Sequence, residues 1–421
     1  MSMTDKAEKK RPLLSVLGPG LVTGAADDDP SGVGTYSQVG AQFGYGLAWT
    51  MLFGYPLLAA IQEVCARIGA VTGKGIAQNL RQHYPRSLLQ AVVLLLLVAN
   101  VINLGADLGA MAESLGLLLP GSQMAYVVGF GVISVLLEVL VPYNTYSRVL
   151  KWTTLSLFAY VAVVFVSKVP LAEAARGVLI PSFTFDKPHA MALVAIFGTT
   201  ISPYLFFWQA GQEVEEQHRR HVKPLMVSPR SAGPELKRIR TDTMVGMAFS
   251  HITALFIVVA TAATLHAHGI THIDTAGQAA QALRPIAGNL AFGLFAVGII
   301  GTGLLAVPIL AGSAAYAVSE TFGWVEGLER KPREAKAFYG VIAVATLGGI
   351  ALNGLGIDPM KALYWAAAVN GLLAPPLMVV TMLIARNPKV MGEMTISNWL
   401  AFGGWLSTVV MGVVAGVFLL S

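Results

Sequence analysis

Two short stretches that cannot continue an α-helix fall inside segments apolar enough to cross a membrane. The first runs from Gly18-Pro19-Gly20 to Asp27-Asp28-Asp29-Pro30-Ser31-Gly32, and the second is Thr199-Thr200-Ile201-Ser202-Pro203-Tyr204. Each combines proline with polar groups. Proline lacks an amide donor and clashes with the preceding turn, so the helical ladder opens at both places. In lipid, backbone freed in this way is tolerated only where protein or a wet cavity covers it. Such a chain needs many helices packed around the two breaks.

Composition agrees with that demand. Of 421 residues, 55% are hydrophobic and 12% charged, with a mean hydropathy of +0.65. Soluble domains carry roughly 25% charged residues, so the chain reads as an integral membrane protein with several spans. The 44 glycines and 21 prolines do not signal disorder here. Small residues let membrane helices approach closely. Cys65 is the single cysteine, which excludes an internal disulfide and any CxxC metal or redox motif. Met1 to Arg11 is polar and basic, and the first apolar run leads into acidic residues rather than a cleavage site, so no signal peptide is expected.

A span takes about 20 mostly apolar residues. Eleven such segments can be drawn, at 13–38, 46–69, 88–117, 124–142, 152–170, 190–214, 242–266, 287–318, 337–354, 361–385 and 398–420, with the first and sixth broken. Placing the N-terminus in the cytoplasm puts 22 of the 28 Lys and Arg residues inside and five outside, with Arg67 near the inner end of the second span. That asymmetry follows the positive-inside rule and leaves the C-terminus external. Five spans followed by five, each set opening on a broken one, predict an inverted repeat of about 13–170 and 190–385. An extra helix at about 398–420 completes a single transmembrane domain over 1–421. The basic connection from about Glu215 to Thr241, with Pro224, Pro229 and Pro234, reads as a surface segment.

Asp27, Asp28 and Asp29 are consecutive carboxylates beside an apolar helix. The run from Leu13 to Val22 is too short to span alone, which places the triplet at depth rather than in outer water. A charge near the bilayer centre costs at least about 2.5–3.5 kcal/mol on insertion scales, so such groups mark ion pathways. Successive helical residues point about 100° apart, so the three do not all face one ion. Asp29, immediately before Pro30, is the predicted main ligand, with Asp28 or Asp27 facing a solvated vestibule. Pro30 frees carbonyls such as that of Ala26. The Ser202 hydroxyl and the carbonyl near Thr199 add oxygens from the second break, and Thr200 and Tyr204 offer more. Hard cations such as magnesium, manganese and calcium prefer such donors. The competing reading of Ser202 and Thr200 has their hydroxyls bonded back to their own helix.

Asp107 is a lone carboxylate inside the third segment, suited to relaying protons, lining the ion's route or pairing with a buried base. Glu113 reads as interfacial. Glu63, Glu138 and Asp242 lie near cytoplasmic ends and carry no functional expectation. Glu213, Glu215 and Glu216 run into the basic connection, solvated or paired with its arginines. His251 reads as a satisfied core histidine, and His266, His268 and His272 as a loose external group.

The motifs taken together are familiar. The chain resembles the NRAMP family of divalent-metal transporters over most of its length. The match rests on Gly18-Pro19-Gly20, on Asp29-Pro30-Ser31-Gly32 where the family reads Asp-Pro-Gly-Asn, and on Gln62 with Ala66-Arg67-Ile68-Gly69-Ala70-Val71-Thr72-Gly73-Lys74. Ala106-Asp107-Leu108, Leu115-Gly116, and Lys151 through Thr154-Leu155 to Ala159-Tyr160 add to it. The resemblance implies an all-α, leucine-transporter-like fold of eleven transmembrane helices, a 5+5 inverted repeat plus one, with helices 1 and 6 discontinuous. It usually implies proton-coupled uptake of manganese or iron.

The departures bear on selectivity. The family's asparagine partner falls on Gly32, and its Met-Pro-His aligns with Ser202-Pro203-Tyr204. The thioether thought to reject magnesium and calcium is thus replaced by a hydroxyl. The histidine associated with proton movement is a tyrosine, whose unperturbed pKa near 10 makes it a poor proton carrier. Asp107 matches a proton-pathway aspartate, while the acidic residue expected three positions on is Ala110. These changes are similar to the NRAMP-related branch that transports magnesium and manganese without proton coupling.

The expectation is a secondary transporter, not an enzyme, importing divalent cations across the cell membrane by alternating access. Manganese and magnesium are the favoured cargo and iron the less favoured. Asp29, the carbonyls of Ala26 and Thr199 and the Ser202 hydroxyl would bind the ion, with Gly32 leaving room for retained water. Asp107, Asp28 and Tyr204 would line a proton or ion pathway. No cofactor other than the transported metal is expected, proton coupling stays open, and the partners are metal and lipid rather than nucleic acid. The alternative is an organic-substrate, amino-acid-like symporter, whose substrate carboxylate would sit at broken-helix amino ends. The aspartate triplet would repel that group. An intramembrane aspartyl hydrolase built on Asp29 and Asp107 lacks any recognised motif.

Overall fold

The structure, a computed structural model, describes residues 18–141, 145 and 156–421. Every regular element among the described residues is a helix. In chain order they are α1 (Pro19–Asp27), α2 (Pro30–Phe43), α3 (Trp49–Thr72), α4 (Ile76–His83), α5 (Arg86–Gly116), α6 (Gln123–Leu140), α7 (Phe158–Val166) and α8 (Leu171–Leu179). There follow α9 (Lys187–Thr200), α10 (Pro203–Arg219), α11 (Ala232–Thr264), α12 (Ala291–Phe322), α13 (Lys336–Asn353), α14 (Pro359–Arg386) and α15 (Asn398–Leu420). Short helical turns near residues 276–290 join α11 to α12.

Nine helical stretches among the described residues are long and apolar enough to cross a membrane. They coincide with nine of the eleven expected segments. One of the nine, Lys187–Arg219, is α9 and α10 parted at Ile201-Ser202. Residues 13–38 are not one helix: from Gly18 on they form α1 and α2, parted at Asp28-Asp29, while 13–17 lie outside the described residues. Of 152–170, only the part from Ser156 on is described, and it contains α7. The cytoplasmic cations expected at Lys6, Lys9, Lys10, Arg11, Arg148 and Lys151 also lie outside the described residues, as do Thr154 and Leu155.

Local sequence explains where the breaks start again as helix. Asp29 is the N-cap of α2, its carboxylate accepting the Gly32 N–H at 2.6 Å, with Pro30 at the first helical position. Ser202 is the N-cap of α10, again followed by proline, but its side chain makes no cap bond.

The first half of each broken segment is seated against a neighbour through glycine. A methyl group added at Gly24 of α1 would lie 2.1 Å from the Gly246 carbonyl of α11, and one at Gly246 would lie 2.1 Å from the Gly20 carbonyl. In the same way, one at Gly198 of α9 would lie 2.0 Å from the Ala367 carbonyl of α14, and one at Gly371 would lie 2.3 Å from that of Val194. Such close approach of backbones is what small residues permit between membrane helices. Helix α5 packs against α12, α13 and α14 and delivers its polar residues to the centre. A cavity of about 370 Å³ lies between α2, α9 and α14, lined by Gly34, Gln38, Met191, Met360 and Tyr364 among others.

Candidate cation site

The two breaks meet at Asp29. Its side chain is buried, and it lies where α1, α2, α5 and α10 converge. Oδ1 accepts the Gly32 N–H at 2.6 Å. Oδ2 accepts the Asn103 side-chain amide at 3.2 Å and faces the Tyr204 hydroxyl at 3.3 Å. The same hydroxyl lies 3.1 Å from the Ala26 carbonyl, which ties the end of α1 to the start of α10. Ala26, Asp29 and Tyr204 are therefore one cluster.

Asp107 stands one residue further along. Its Oδ1 accepts the Ser31 N–H at 3.2 Å, and its Oδ2 is buried without a hydrogen-bond partner. It thus contributes a second carboxylate to the amino end of α2, where backbone N–H groups and the helix dipole favour negative charge.

Several sequence expectations are corrected by this geometry. Neither Asp28 nor Asp27 faces a solvated vestibule: both have zero exposure, and both turn to Ser250 of α11, at 3.3 and 2.5 Å. The packing of α1 along α11 closes them off. The Ser202 hydroxyl does not point at Asp29. It bonds back to its own helix, 2.8 Å from the carbonyls of both Gly198 and Thr199, so the Thr199 carbonyl is engaged as well. Thr200 likewise donates to Ile196 O at 2.9 Å. Hydroxyls at an opened helix end find the nearest carbonyl, the competing reading given above. Tyr204 stands within the cluster rather than along a separate path. Gly32 is tight, not roomy: a methyl group there would meet Asp27 O at 3.1 Å and the Tyr36 ring at 3.3 Å.

Three residues that matter here were missed. Asn103 supplies an amide to Asp29, and its own Oδ1 is buried and unpartnered. A signal existed, since Asn100, Asn103 and Asp107 recur at i, i+3 and i+7 on one face of an otherwise apolar helix. Ser250 gave none. Asp242, placed near a cytoplasmic end with no functional expectation, caps α1: Oδ1 accepts Gly18 N–H at 2.9 Å and Leu21 N–H at 3.0 Å, and Oδ2 accepts Gly20 N–H at 2.8 Å. Arg238, 3.8 Å from Asp242, also pairs with Glu213 and Glu235 and so joins α1, α10 and α11. The other sequence readings fall as follows. Glu216 pairs with Arg219 and Arg220, Glu63 pairs with Arg67, and Glu215 is bonded by Tyr316 and Leu328 N–H. His251 Nδ1 is 3.2 Å from Met247 O.

The ion pairs among the described residues leave Asp27, Asp28, Asp29 and Asp107 without a basic partner. No three His, Cys, Asp or Glu side chains converge to hold a metal among the described residues. A cation here would draw on single carboxylates supplemented by amide, hydroxyl and main-chain oxygens.

Comparison with known proteins defines the class. Residues 20–421 match the profile of the Natural resistance-associated macrophage protein-like family, Nramp. The chain belongs to that family, whose curated relatives are transporters rather than enzymes. It is 26% identical over 407 residues to a Klebsiella pneumoniae protein named "Divalent metal cation transporter MntH", covering 93% of this chain and 91% of the relative. A Yersinia pestis protein of the same name is 25% identical over 314 residues, covering 70% and 71%. In fold, the chain is similar to a crystal structure of the Eremococcus coleocola manganese transporter, with a TM-score of 0.77 at 16% identity, over 98% of this chain and 87% of that one. It is also similar to Mhp1, a nucleobase-cation-symport-1 family transporter, at a TM-score of 0.59 and 16% identity, over 96% and 91%.

Proposed function

We propose that this chain carries divalent cations, manganese and magnesium before iron, into the cell by alternating access, with Asp29 as the principal ligand. One observation carries the reading. Asp29 is a buried carboxylate without a basic partner among the described residues, set where both helix breaks meet. Such a group at bilayer depth calls for a counter-ion. The Ala26 carbonyl, the Asn103 amide oxygen and the Tyr204 hydroxyl complete an oxygen shell, with water taking the remaining positions. Thr199 and Ser202 join that shell if their mutual hydrogen bond opens as the helix halves move. Magnesium suits a site of one carboxylate and retained water, because it dehydrates reluctantly. The shell holds no sulfur, so nothing in it favours soft metals over hard ones.

The architecture that supports this is eleven spans in two inverted repeats, about 13–170 and 190–385, with an added helix at about 398–420 and the first and sixth spans discontinuous. The N-terminus is cytoplasmic and the C-terminus external in the cell membrane. The cavity between α2, α9 and α14 is the approach from outside, and Asp107 flanks the ion's route. Four buried carboxylates disfavour the organic-substrate symporter, whose carboxylate they would repel.

The test is uptake of manganese and magnesium into liposomes with internal pH recorded at the same time. Both metals are expected to enter through the native protein and neither through Asp29→Ala. Uptake surviving that substitution overturns the reading, and competition by amino acids would favour the symporter. Acidification with metal flux would assign Asp107 a proton; flux without it rejects proton symport.

A further inference from the structure

We infer that Asp27 and Asp28, with Ser250, form a second site for a hard divalent cation, separate from Asp29 and on the α11 side of the break. The reasoning starts from hydrogen counting. The Ser250 oxygen lies 2.5 Å from Asp27 Oδ2 and 3.3 Å from Asp28 Oδ1. A serine hydroxyl has one proton, so it satisfies only one of these two carboxylates. The other two oxygens, Asp27 Oδ1 and Asp28 Oδ2, are buried and have no hydrogen-bond partner. Both side chains have zero exposure. Two adjacent carboxylates are thus sealed from water with half their acceptor atoms empty, and buried charge of that kind is balanced either by a proton or by a cation.

The surroundings supply no such cation from the protein and favour an ion. The described ion pairs leave both carboxylates without Lys or Arg. The nearest histidine in sequence to Ser250, His251, turns its Nδ1 to Met247 O. Asp27 ends α1 and Asp28 is its C-cap, so the negative end of the helix dipole adds to the field of the two carboxylates. Thr253, one turn beyond Ser250 on the same face of α11, donates its hydroxyl to Phe249 O at 3.0 Å, which leaves its oxygen lone pairs free to face a cation. Every available donor is oxygen. Two carboxylates balance one doubly charged ion, and oxygen-only ligation selects magnesium, manganese or calcium over softer metals.

The proposal stands beside the Asp29 reading rather than on it, and one experiment separates them. Manganese binding to purified full-length protein in detergent micelles is followed by the loss of the free-ion electron paramagnetic resonance signal. The proteins compared are the native chain, Asp29→Asn, the double variant Asp27→Asn with Asp28→Asn, and the triple variant, each first shown to be monodisperse with a cooperative thermal transition. Asp29→Asn is expected to retain one manganese site, at least tenfold weaker than the native protein's tightest, and the triple variant to retain none. Equal, absent binding in Asp29→Asn and the triple variant overturns the second site and leaves the aspartate pair holding a proton. Native-strength binding in Asp29→Asn instead overturns the Asp29 reading. Should the triple variant not fold, Ser250→Val on the Asp29→Asn background takes its place: weakened binding supports the site, and unchanged binding rejects it.

Discussion

The side-chain amide of Asn103 reaches Asp29 Oδ2 at 3.2 Å, from the middle of α5 to the break between α1 and α2. The family motif places its asparagine three positions after the aspartate, where this chain has Gly32. Here an amide approaches the same carboxylate from another helix, and its free oxygen is buried at the site. Partners that orient a metal ligand are typically worth 10–100-fold in affinity. Asn103→Ala is therefore expected to weaken manganese binding by about that factor, with the thermal transition little changed. Titration calorimetry on both proteins checks it.

Asp242 holds the first turn of α1 by three backbone N–H groups. Loss of a charged cap of this kind costs about 1–2 kcal/mol. Asp242→Asn should speed hydrogen exchange at residues 18–21 selectively, while the amides of α5 and α12 keep their protection. Unchanged exchange at α1 would show that the cap does not hold it.

Gly246→Ala should be severe. Its added carbon would lie 2.1 Å from the Gly20 carbonyl, and backbone facing backbone has no flexible end to give way. A destabilisation of about 3 kcal/mol or more is expected from overpacking, seen as lost yield of folded protein. Gly412→Ala, where nothing lies within 4 Å, serves as the control and should change stability little.

Glu326 follows α12 and shares a 60 Å³ cavity with Glu215 and Glu320. Burial, then the charges of Glu320 and Glu215, push its carboxyl up from an ordinary 4.5 to about 9, and its Oε2 has no hydrogen-bond partner. A carboxyl raised on folding binds more protons in the native state, so its contribution is full below pH 4.5 and fades as pH climbs through 9. Glu326→Gln should melt above the native protein at pH 8–9, with the gap closing toward pH 5. A gap independent of pH would refute the assignment.

Ser202→Met would replace a hydroxyl bonded back to Gly198 and Thr199 with a thioether. Manganese is expected to gain over magnesium in uptake, since sulfur favours the softer ion. Equal selectivity in the two proteins would place residue 202 outside the ion's shell.

Much of the fold was legible in the sequence because apolar length and proline report directly on helix and break. Among the described residues, nine long apolar helical stretches fall where hydropathy put them, and the interruptions at Asp28-Asp29 and Ile201-Ser202 follow from Pro30 and Pro203. The site was half legible. Asp29 and Tyr204 declare themselves by lying at the breaks, whereas Asn103 was missed although its spacing from Asp107 marks one face of α5. The orientation of Ser202 was not readable, because a hydroxyl at a helix end chooses between a distant ion and a carbonyl 2.8 Å away. The burial of Asp27 and Asp28 depends on Gly246 letting α11 close over them, a contact more than 200 residues away along the chain.

The glycine seam has a further consequence for how α1 moves. Where this nine-residue segment meets α11 at Gly20, Gly24 and Gly246, main chain lies against main chain with no flexible side chain that can slacken by degrees. Under the proposed alternating access the segment would be either fully seated or lifted clear, pivoting at Asp28 where the hydrogen-bond ladder is already cut. A gate made this way would click between two positions, and the ion's exit would be timed by a single event rather than a gradual widening.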